Sequence, residues 1–316
     1  MIRTIGAKLL GSLGVLLALS AIVFFAGREL APGNIATVLI GSNGATRAQT
    51  VELMRQLGLN QPLYIQYFDW LRGVAVGNLG ISPISHLRVS SILAQETPVS
   101  LELAFLSLIV STVVGVPLGI VAATHANRFL DWLVRVPTMI TFAVPVFVAG
   151  TLALLIAAKF APFLYAAAYT SPSQGLKGNF TSMFLPALSA GLPTSALLVQ
   201  MTRSSMLESL SSPSLFMARA KGVSRRRIVW VHALKLSLGP ILTLEGFNFG
   251  ILLGSLFVVE DIFSLPGLGR GVLAAINDRD FVVLEAQVMV IAVVFMIGNI
   301  VAEVLNVIVD RRLEGV

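Results

Sequence analysis

The chain reads Ser211-Ser212-Pro213-Ser214-Leu215-Phe216-Met217-Ala218-Arg219-Ala220-Lys221-Gly222-Val223-Ser224-Arg225-Arg226-Arg227 between two strongly apolar regions. Ser212 is a favoured residue for the position before a helix, Pro213 suits the first helical position, and Gly222 suits the residue just past the end. Ser224 can begin another helical segment directly afterwards. The stretch therefore predicts a short helix between two membrane spans, followed by a sharp turn and a restart. A short rigid helix of this kind is suited to be bound and moved by a soluble partner protein.

The composition is that of a membrane protein. Apolar residues make up 56% of the 316 residues, charged residues make up 12%, and the mean hydropathy is +0.86. Soluble globular domains carry about 25% charged residues, so much of this exterior must face lipid. The net charge of +6 does not indicate nucleic-acid binding, because the basic residues concentrate beside apolar stretches. The absence of cysteine excludes disulfides, iron–sulfur ligation and thiol catalysis.

Six stretches are apolar and long enough to cross a bilayer core of about 30 Å, which takes roughly 20 helical residues. They are approximately Leu9–Gly27, Val99–Ala123, Leu133–Ala158, Phe184–Met201, Gly239–Val259 and Ala286–Ile308. The first exceeds the apolar length of a signal peptide, roughly 7–15 residues, and no convincing small-x-small cleavage site follows, so it is interpreted as an uncleaved span. The predicted fold class is an all-α polytopic integral membrane protein.

Charge fixes the expected orientation. The Arg203–Lys235 insert has seven Lys/Arg residues and one acid, whereas the Glu260–Glu285 loop has five acids and two arginines. The positive-inside rule places the insert in the cytoplasm, and six spans then place both termini there. Residues 1–97 are expected to hold the first span and a long extracytoplasmic loop. Residues 98–316 are expected to form a five-helix core with a cytoplasmic loop at 203–237.

The long extracytoplasmic loop, Arg28–Thr97, has two recognisable parts. Arg47–Leu57 has a helical composition, and the following Pro62–Leu71 segment contains a cluster of aromatic residues. Such clusters are typical of the membrane interface, so anchoring is favoured over a substrate-docking role.

Prolines and glycines are frequent inside the predicted spans. Kinks or breaks are expected at Pro117, Pro137, Pro145, Pro186 and Pro193. The fifth span carries small residues at a spacing of four, at Gly246, Gly250 and Gly254, and Gly115 and Gly119 repeat the pattern once in the second span. Such stripes permit close helix contact, and ordinary packing is favoured over a moving interface.

Ionisable residues inside the spans are few. Glu102 and Glu303 lie near predicted span ends, where they can reach the interface, and Glu245 lies about two turns inside the fifth span. Charge in hydrocarbon is costly, so a deep acid usually faces protein or water. Glu245 therefore either lines a polar pathway or makes a structural hydrogen bond.

The chain lacks motifs that would let it perform chemistry by itself. It contains no Gly-x-x-x-x-Gly-Lys-Ser/Thr loop for ATP, no Gly-x-Ser-x-Gly elbow and no His-Glu-x-x-His helix. Its three histidines are scattered without metal-ligand spacing. If the protein moves a solute, the energy must come from an ion gradient or from another subunit.

Several motifs stand in order along the chain. They are Pro32-Gly33-Asn34, Leu57-Gly58-Leu59-Asn60-Gln61-Pro62-Leu63, Gly77-Asn78-Leu79-Gly80-Ile81-Ser82, Thr97-Pro98-Val99-Ser100-Leu101-Glu102-Leu103-Ala104, Gly115-Val116-Pro117-Leu118-Gly119, Ala218-Arg219-Ala220-Lys221-Gly222-Val223-Ser224, His232-Ala233-Leu234, Val259-Glu260-Asp261-Ile262-Phe263-Ser264-Leu265-Pro266-Gly267-Leu268-Gly269-Arg270 and Val309-Asp310-Arg311-Arg312. Together they resemble the permease subunits of ABC importers, in the dipeptide/oligopeptide/nickel branch, and the long first loop resembles the B-type subunit. The chain departs from the family pattern at Phe216-Met217 in the coupling loop, at Asn78 and at Arg311.

The resemblance implies the type I ABC-importer permease fold and a set of partners. Two permease subunits, usually a B-type and a C-type chain, form the membrane pathway in a bacterial-type inner membrane. Two cytosolic ATPases, which carry ATP and Mg, hold the coupling helices, and an extracytoplasmic binding protein delivers the solute. No cofactor is expected on this chain. The cargo implied is a short peptide, with nickel chelates or another small solute as the alternative.

Three groups of candidate site residues follow. ATPase coupling is assigned to Phe216, Met217, Ala218, Arg219, Ala220, Lys221, Gly222 and Ser224. The pathway is expected to be lined by Pro117, Pro145, Glu245, Asn248 and Phe249. An outer gate, or equally a structural re-entrant turn, is expected at Glu260, Phe263, Ser264, Pro266, Gly267 and Gly269.

Two hypotheses of other classes are weighed against the importer subunit. A stand-alone ion-driven transporter predicts several deep carboxylates and often inverted repeats, whereas this sequence has one deep acid and no visible repeat. A membrane-embedded hydrolase would need paired catalytic side chains at matching depth, and the sequence offers none.

Overall fold

A computed structural model describes residues 2–29, 60–165 and 168–309. The regular structure of these residues is helical, apart from an isolated antiparallel bridge between Ile81 and Arg88. The α-helices are α1 (Ile2–Glu29), α2 (Leu63–Ala75), α3 (Val89–Thr124), α4 (Phe129–Ala143), α5 (Val146–Phe160), α6 (Pro162–Tyr165), α7 (Leu176–Leu210), α8 (Pro213–Ala220), α9 (Arg225–Arg227), α10 (Leu234–Ile262), α11 (Leu268–Asp278) and α12 (Phe281–Val309). The predicted all-α class is confirmed. The expectations for Pro32-Gly33-Asn34, Arg47–Leu57 and Asp310-Arg311-Arg312 lie outside the described residues.

Five helical segments of the described chain are long and apolar enough to cross a membrane. They are Gly11–Arg28, Val89–Thr124, Leu176–Leu210, Arg225–Ile262 and Phe281–Ala302. A sixth crossing is possible if α4 and α5, which pass the same test together, form one broken span. The helices are longer than the apolar stretches expected from the sequence. Composition identifies only the apolar part of a helix, and the polar turns at its ends are not recognised by it.

The third predicted span, Leu133–Ala158, is wrong as a single helix. The structure has two helices here, α4 and α5, bent by 103° at a break after Ala143. Val144 has extended backbone (φ −78°, ψ 120°), and Pro145 precedes the first residue of α5. A proline disfavours helical backbone in the residue before it and offers no N–H of its own, so the break falls where the sequence predicts one. Pro117, by contrast, lies inside the uninterrupted helix α3.

The chain divides into two compact units, one of Met1–Pro98 and Pro266–Val294 and the other of Val99–Leu265 and Phe295–Val316. The sequence predicts a different division, into a first span with its loop (1–97) and a five-helix core (98–316). That division describes the order of spans and loops and stays a prediction.

In the first unit, the aromatic residues of α2 pack against α1. The Tyr67 hydroxyl lies 2.8 Å from Ser20 Oγ, and the rings of Tyr67 and Trp70 lie 5.4 and 5.6 Å from that of Phe24. Tyr64 and Phe68, on the same helix, remain exposed. The aromatic cluster therefore divides into side chains that hold α2 on α1 and side chains that are free to contact the membrane interface.

In the second unit, small residues let the helices approach closely. A Cβ atom added at Gly191 of α7 would lie 2.5 Å from the Ser107 carbonyl oxygen of α3, so a larger residue would force the helices apart. At Gly246 of α10 the added atom would lie 2.3 Å from the Ala302 Cβ atom of α12, whereas at Gly254 it would meet nothing within 4 Å. The predicted glycine stripe is therefore used for close packing over part of its length.

Candidate coupling surface, pathway and outer gate

The candidate coupling helix is α8, and its boundaries agree closely with the local signals in the sequence. Ser212 has extended backbone (φ −66°, ψ 143°) and Pro213 is the first helical residue. The Ser212 side chain makes no capping hydrogen bond; its oxygen instead lies 3.1 Å from that of Ser214. The helix ends at Ala220. The position before the helix therefore matches the prediction, although the cap is supplied by backbone geometry and not by the hydroxyl.

The turn after α8 requires a left-handed residue. The N–H groups of Gly222 and Val223 donate to the carbonyl oxygens of Arg219 and Ala218 at 3.0 and 3.2 Å. Gly222 has φ +77°, and a Cβ atom added there would meet nothing within 4 Å. The constraint on this position is thus the backbone angle and not the available space, because glycine, and less readily asparagine, adopts this region with little strain.

The helix presents two opposite surfaces. Leu215 is buried, with 4% exposure, in a cluster with Ile120 of α3, Met206 of α7 and Ile228. Phe216 and Met217 are 69% and 56% exposed. Leu215 therefore fixes α8 to its own chain, and the two large apolar side chains next to it are available to another protein.

The remaining coupling residues surround this surface. Arg219, Ala220, Lys221, Gly222 and Ser224 are exposed, and Ala218 is half-buried. The Arg219 guanidinium donates to the Leu210 carbonyl oxygen at the end of α7, and Arg225 donates to that of Thr124 at the end of α3, both at 3.3 Å. The guanidinium groups therefore satisfy carbonyls that a helix end leaves without an intrahelical partner.

A π-helical segment, Ile228–Ala233, joins α9 to α10. Ile228, Val229 and Ala233 are buried in the same cluster as Leu215. Segments of this kind are rare and occur often at functional sites. This segment was not predicted, because the spacing of its apolar residues is compatible with an ordinary α-helix.

The candidate pathway residues fall into a buried and an exposed set. Glu245, Asn248 and Phe249 of α10 are buried within the single chain, and Pro117 and Pro145 are exposed. Thr112 donates its hydroxyl to Glu245 Oε1 at 3.1 Å, and Ser111 lies at 3.5 Å from the same atom. This contact fits the structural alternative for Glu245. The pathway-lining role of the five residues stays a prediction.

The candidate gate is more helical than the sequence predicted. Glu260 was expected at the acidic start of a loop, but it lies inside α10, fully buried, and accepts a 2.6 Å hydrogen bond from Ser100. Phe263 lies beside Gly150 of α5, and Ser264, with φ +54°, is exposed in the turn. The burial of Glu260 follows from its hydroxyl partner on α3, which neighbouring sequence does not reveal.

The glycine-rich part of the gate leads into a helix that was not predicted. Pro266 is exposed, whereas Gly267 and Gly269 are buried at the start of α11. Gly271 N–H donates to the Gly267 carbonyl oxygen at 2.9 Å. The Glu260–Glu285 loop predicted between the fifth and sixth spans therefore contains an eleven-residue helix. The gate role of these residues stays a prediction.

Two polar contacts in the second unit were missed by sequence reasoning. Glu102, expected to reach the interface, accepts hydrogen bonds from Asn179 and, at 3.1 Å, from Tyr169. Burial, followed by the hydrogen bond to the Glu102 carboxylate, raises the pKa of Tyr169 to about 12. The side chain of Glu303 lies outside the described residues.

The second missed contact is an ion pair between α4 and α7. Arg203 donates Nε and Nη2 to the two oxygens of Asp131 at 2.8 and 2.7 Å, and the Asn127 N–H donates to the same carboxylate at 3.0 Å. Arg203 was counted with the basic insert, but it lies within α7 and is turned toward the protein. The available signal was that opposite charges lie just outside two predicted spans, Asp131 before Leu133–Ala158 and Arg203 after Phe184–Met201, on the same expected side of the membrane.

Comparison with known proteins places the chain among transport proteins. Residues 115–315 match the family described as binding-protein-dependent transport system inner membrane component, and residues 1–104 match the N-terminal region of such membrane components. The predicted resemblance is thereby confirmed.

Three curated relatives match almost the whole chain. A probable peptide ABC transporter permease protein, y4tP of Sinorhizobium fredii (strain NBRC 101917 / NGR234), is 33% identical over 97% of each chain. The glutathione transport system permease protein GsiC of Escherichia coli O6:H1 is 32% identical over 96% of each chain. The dipeptide transport system permease protein DppB of Escherichia coli (strain K12) is 30% identical over 92% of each chain.

A solved structure shares the fold. A chain of the MetNI methionine ABC transporter in an inward-facing conformation has a TM-score of 0.57 and 17% identity, and the match covers 70% of this chain and 97% of that one. The expected type I importer permease fold is therefore confirmed.

Proposed function

Because the chain belongs to the family of binding-protein-dependent transport system inner membrane components, we propose that it is one of two permease subunits of an ATP-driven importer for short peptides. The family is one of transport permeases and not of enzymes, and the chain is a multi-pass inner-membrane protein. Its partners in this proposal are a C-type permease, two cytosolic ATPases that bind ATP and Mg, and an extracytoplasmic binding protein.

Charge supports an orientation with both termini in the cytoplasm. The Arg203–Lys235 region carries seven basic residues against one acid, and the Glu260–Glu285 region carries five acids against two arginines. Basic residues next to membrane spans are retained on the cytoplasmic side. In this orientation α8 faces the compartment in which ATP is available.

The observation that carries the proposal is the division of α8 into an anchored and an exposed surface. Leu215 joins α8 to α3, α7 and the π-helical segment through one buried cluster, so a displacement of α8 is passed to the spanning helices. Burial of exposed Phe216 and Met217 in a groove of an ATPase would contribute about 1.5–3 kcal/mol for each side chain. A helix that is anchored to its own chain by Leu215 and bound by an ATPase through Phe216 and Met217 can transmit a conformational change of the ATPase to the spanning helices.

The nature of the cargo is supported by the relatives and by the scarcity of charge within the spans. The matched relatives are named for peptide, glutathione and dipeptide transport. A peptide presents an ammonium, a carboxylate and many backbone polar groups, so a permissive conduit should lack strong fixed charges that retain one end. Selectivity among peptides is therefore assigned to the binding protein, and nickel chelates remain the alternative cargo for the same machinery.

The test is uptake by the complete transporter in proteoliposomes, with tri-alanine as the cargo and the purified binding protein outside. We expect uptake with enclosed ATP and none with ADP. The variant Phe216→Ala/Met217→Ala should lose most of the uptake, whereas Leu155→Ala, which removes an exposed apolar side chain of α5, should not. Uptake by the chain without ATPases, driven by an ion gradient, would refute the proposal in favour of a stand-alone transporter.

A further inference from the structure

A recess at the beginning of α4 combines cationic, aromatic and apolar side chains on one side of the helix. It has a volume of about 460 Å³, and its lining includes Arg128, Phe129, Asp131, Trp132, Arg135 and Met139. Residues spaced by four, three and four share one helix face, so Arg128, Trp132, Arg135 and Met139 follow one another along it. The order from the helix start inward is therefore cation, aromatic ring, cation and apolar side chain.

The one acid in this recess is engaged in another direction. Both carboxylate oxygens of Asp131 accept hydrogen bonds from Arg203 of α7, and Oδ2 also accepts one from the Asn127 N–H. Its side chain is 3% exposed. The hydrogen bonds of the carboxylate are thus made to Arg203 and Asn127, and Arg135 affects it only through the weaker attraction of a charge one turn away.

Arg128 and Arg135 are the two cations of the recess, and Arg135 acts on the Asp131 carboxylate, one turn before it, only through longer-range electrostatic attraction. Both are exposed, and neither forms an ion pair within the part of the chain that the structure describes. Arg135 lies six residues after the first residue of α4, about 9 Å along the axis. A guanidinium at such a depth in an apolar helix is costly without a counter-charge, and it lowers the cost by extending toward the headgroup layer.

The surroundings of the two arginines match a lipid at the membrane interface. Phe129 and Trp132 are exposed, and their stacked rings have centroids 6.1 Å apart. Exposed tryptophan at a helix end is typical of the headgroup level of a membrane. Met139, Ile140 and Phe142 continue the exposed apolar surface further along α4. A ligand for this surface needs an anionic group between the arginines and apolar chains beside the deeper part of the helix.

We propose that the recess formed by Arg128, Trp132, Arg135 and Met139 binds an anionic phospholipid, with its phosphate between the two guanidinium groups and its acyl chains along α4. Guanidinium groups bind phosphate oxygens through paired, charge-assisted hydrogen bonds. A zwitterionic headgroup offers the same phosphate, but its cationic group is repelled by the two arginines, so an anionic headgroup binds more tightly. The bound lipid supports the first half of the bent helix pair from the bilayer side. This inference rests on α4 lying in a membrane and does not depend on the identity of the cargo.

The test is native mass spectrometry of the solubilised full chain with defined lipids. Palmitoyl-oleoyl phosphatidylglycerol should bind roughly tenfold more tightly than the phosphatidylcholine of the same acyl chains. The variant Arg128→Gln/Arg135→Gln should lose that preference. The matched control Arg226→Gln/Arg227→Gln removes the same charge from exposed positions outside the recess and should keep it.

Four other outcomes overturn the proposal, and a fifth supports it. Equal binding of the two lipids, or equal loss in the two double variants, would show that the recess has no specific lipid site. Displacement of phosphatidylglycerol by millimolar inorganic phosphate alone would assign the recess to a free anion. If the Arg128→Gln/Arg135→Gln chain bound lipid normally but no longer assembled with its partner subunits, an acidic protein surface would be the occupant. Retention of lipid binding by Arg128→Lys/Arg135→Lys would support the proposal and exclude misfolding as the cause of the loss.

Discussion

Replacement of Leu215 by Ala tests whether α8 is held on the chain by one side chain. Leu215 is the only residue of α8 that is buried, and it is 4% exposed. An eight-residue helix is too short to be stable by itself in water, so α8 depends on this contact and on the turns at its ends. The change should therefore release α8 locally without unfolding the spanning helices.

The size of the effect follows from the surroundings of the side chain. Truncation of a buried leucine to alanine costs about 2–5 kcal/mol, and the cost is lower where neighbours can close the cavity. Here Leu207, Leu210 and Val223 are only partly buried around the cluster and can relax toward it. We expect about 2–3 kcal/mol, which shifts the equilibrium between docked and released α8 by roughly 30- to 150-fold.

The chain has no cysteine, so a single labelling site can be introduced without other changes. A spin label on Ser214→Cys, an exposed position of α8, should become more mobile when Leu215→Ala is added to the full chain in nanodiscs. The matched control is Phe216→Ala, which removes an exposed side chain and should leave the mobility unchanged. In the complete transporter both variants should lower the uptake per ATP hydrolysed, for different reasons.

An unchanged spectrum in Leu215→Ala would refute the reasoning, because it would show that the backbone turns alone hold α8 in place. Equal mobilisation by Phe216→Ala would refute it as well, since the exposed side chain would then stabilise the helix within its own chain.

Three further predictions concern backbone strain, helix packing and ionisation. Gly222→Val should keep membrane insertion but lower the uptake per ATP several-fold, because a φ of +77° excludes a β-branched residue. Gly222→Asn should be tolerated, since asparagine adopts this region more readily. Equal uptake per ATP in the two variants would contradict this prediction. Gly246→Ala should destabilise the protein by about 1–3 kcal/mol in thermal unfolding, because the added Cβ atom would lie 2.3 Å from the Cβ atom of Ala302. The control Gly254→Ala should show no such loss, because a Cβ atom added there meets nothing within 4 Å. Because burial and a carboxylate partner raise the pKa of Tyr169 from 10.0 to about 12, the folded state holds this proton more tightly. The stabilisation from the protonated Tyr169 is complete below pH 10 and is lost as the pH rises through 12. The free energy of unfolding of Tyr169→Phe should therefore fall less steeply than that of the parent protein between these pH values. Parallel curves of unfolding free energy against pH would disprove the assignment.

Features that depend on residues close together in the chain could be predicted from the sequence. Composition identified the spanning helices, since apolar length is a property of one segment. The order Ser212, Pro213 and Gly222 defined the start of α8 and its left-handed turn, because capping depends on neighbouring backbone groups. Pro145 indicated the break in the third span, because proline restricts the residue before it.

The tertiary structure alone decided the features that join distant parts of the chain. The sequence placed Glu260 in a loop and Arg203 in a basic insert, whereas their partners Ser100 and Asp131 show that both belong to helix packing. The angle of 103° between α4 and α5 likewise exceeds what Pro145 dictates, because a proline interrupts a helix without fixing where the next one points. Burial and pairing depend on which helices meet across a separation of 72 or 160 residues, and no local pattern carries that information.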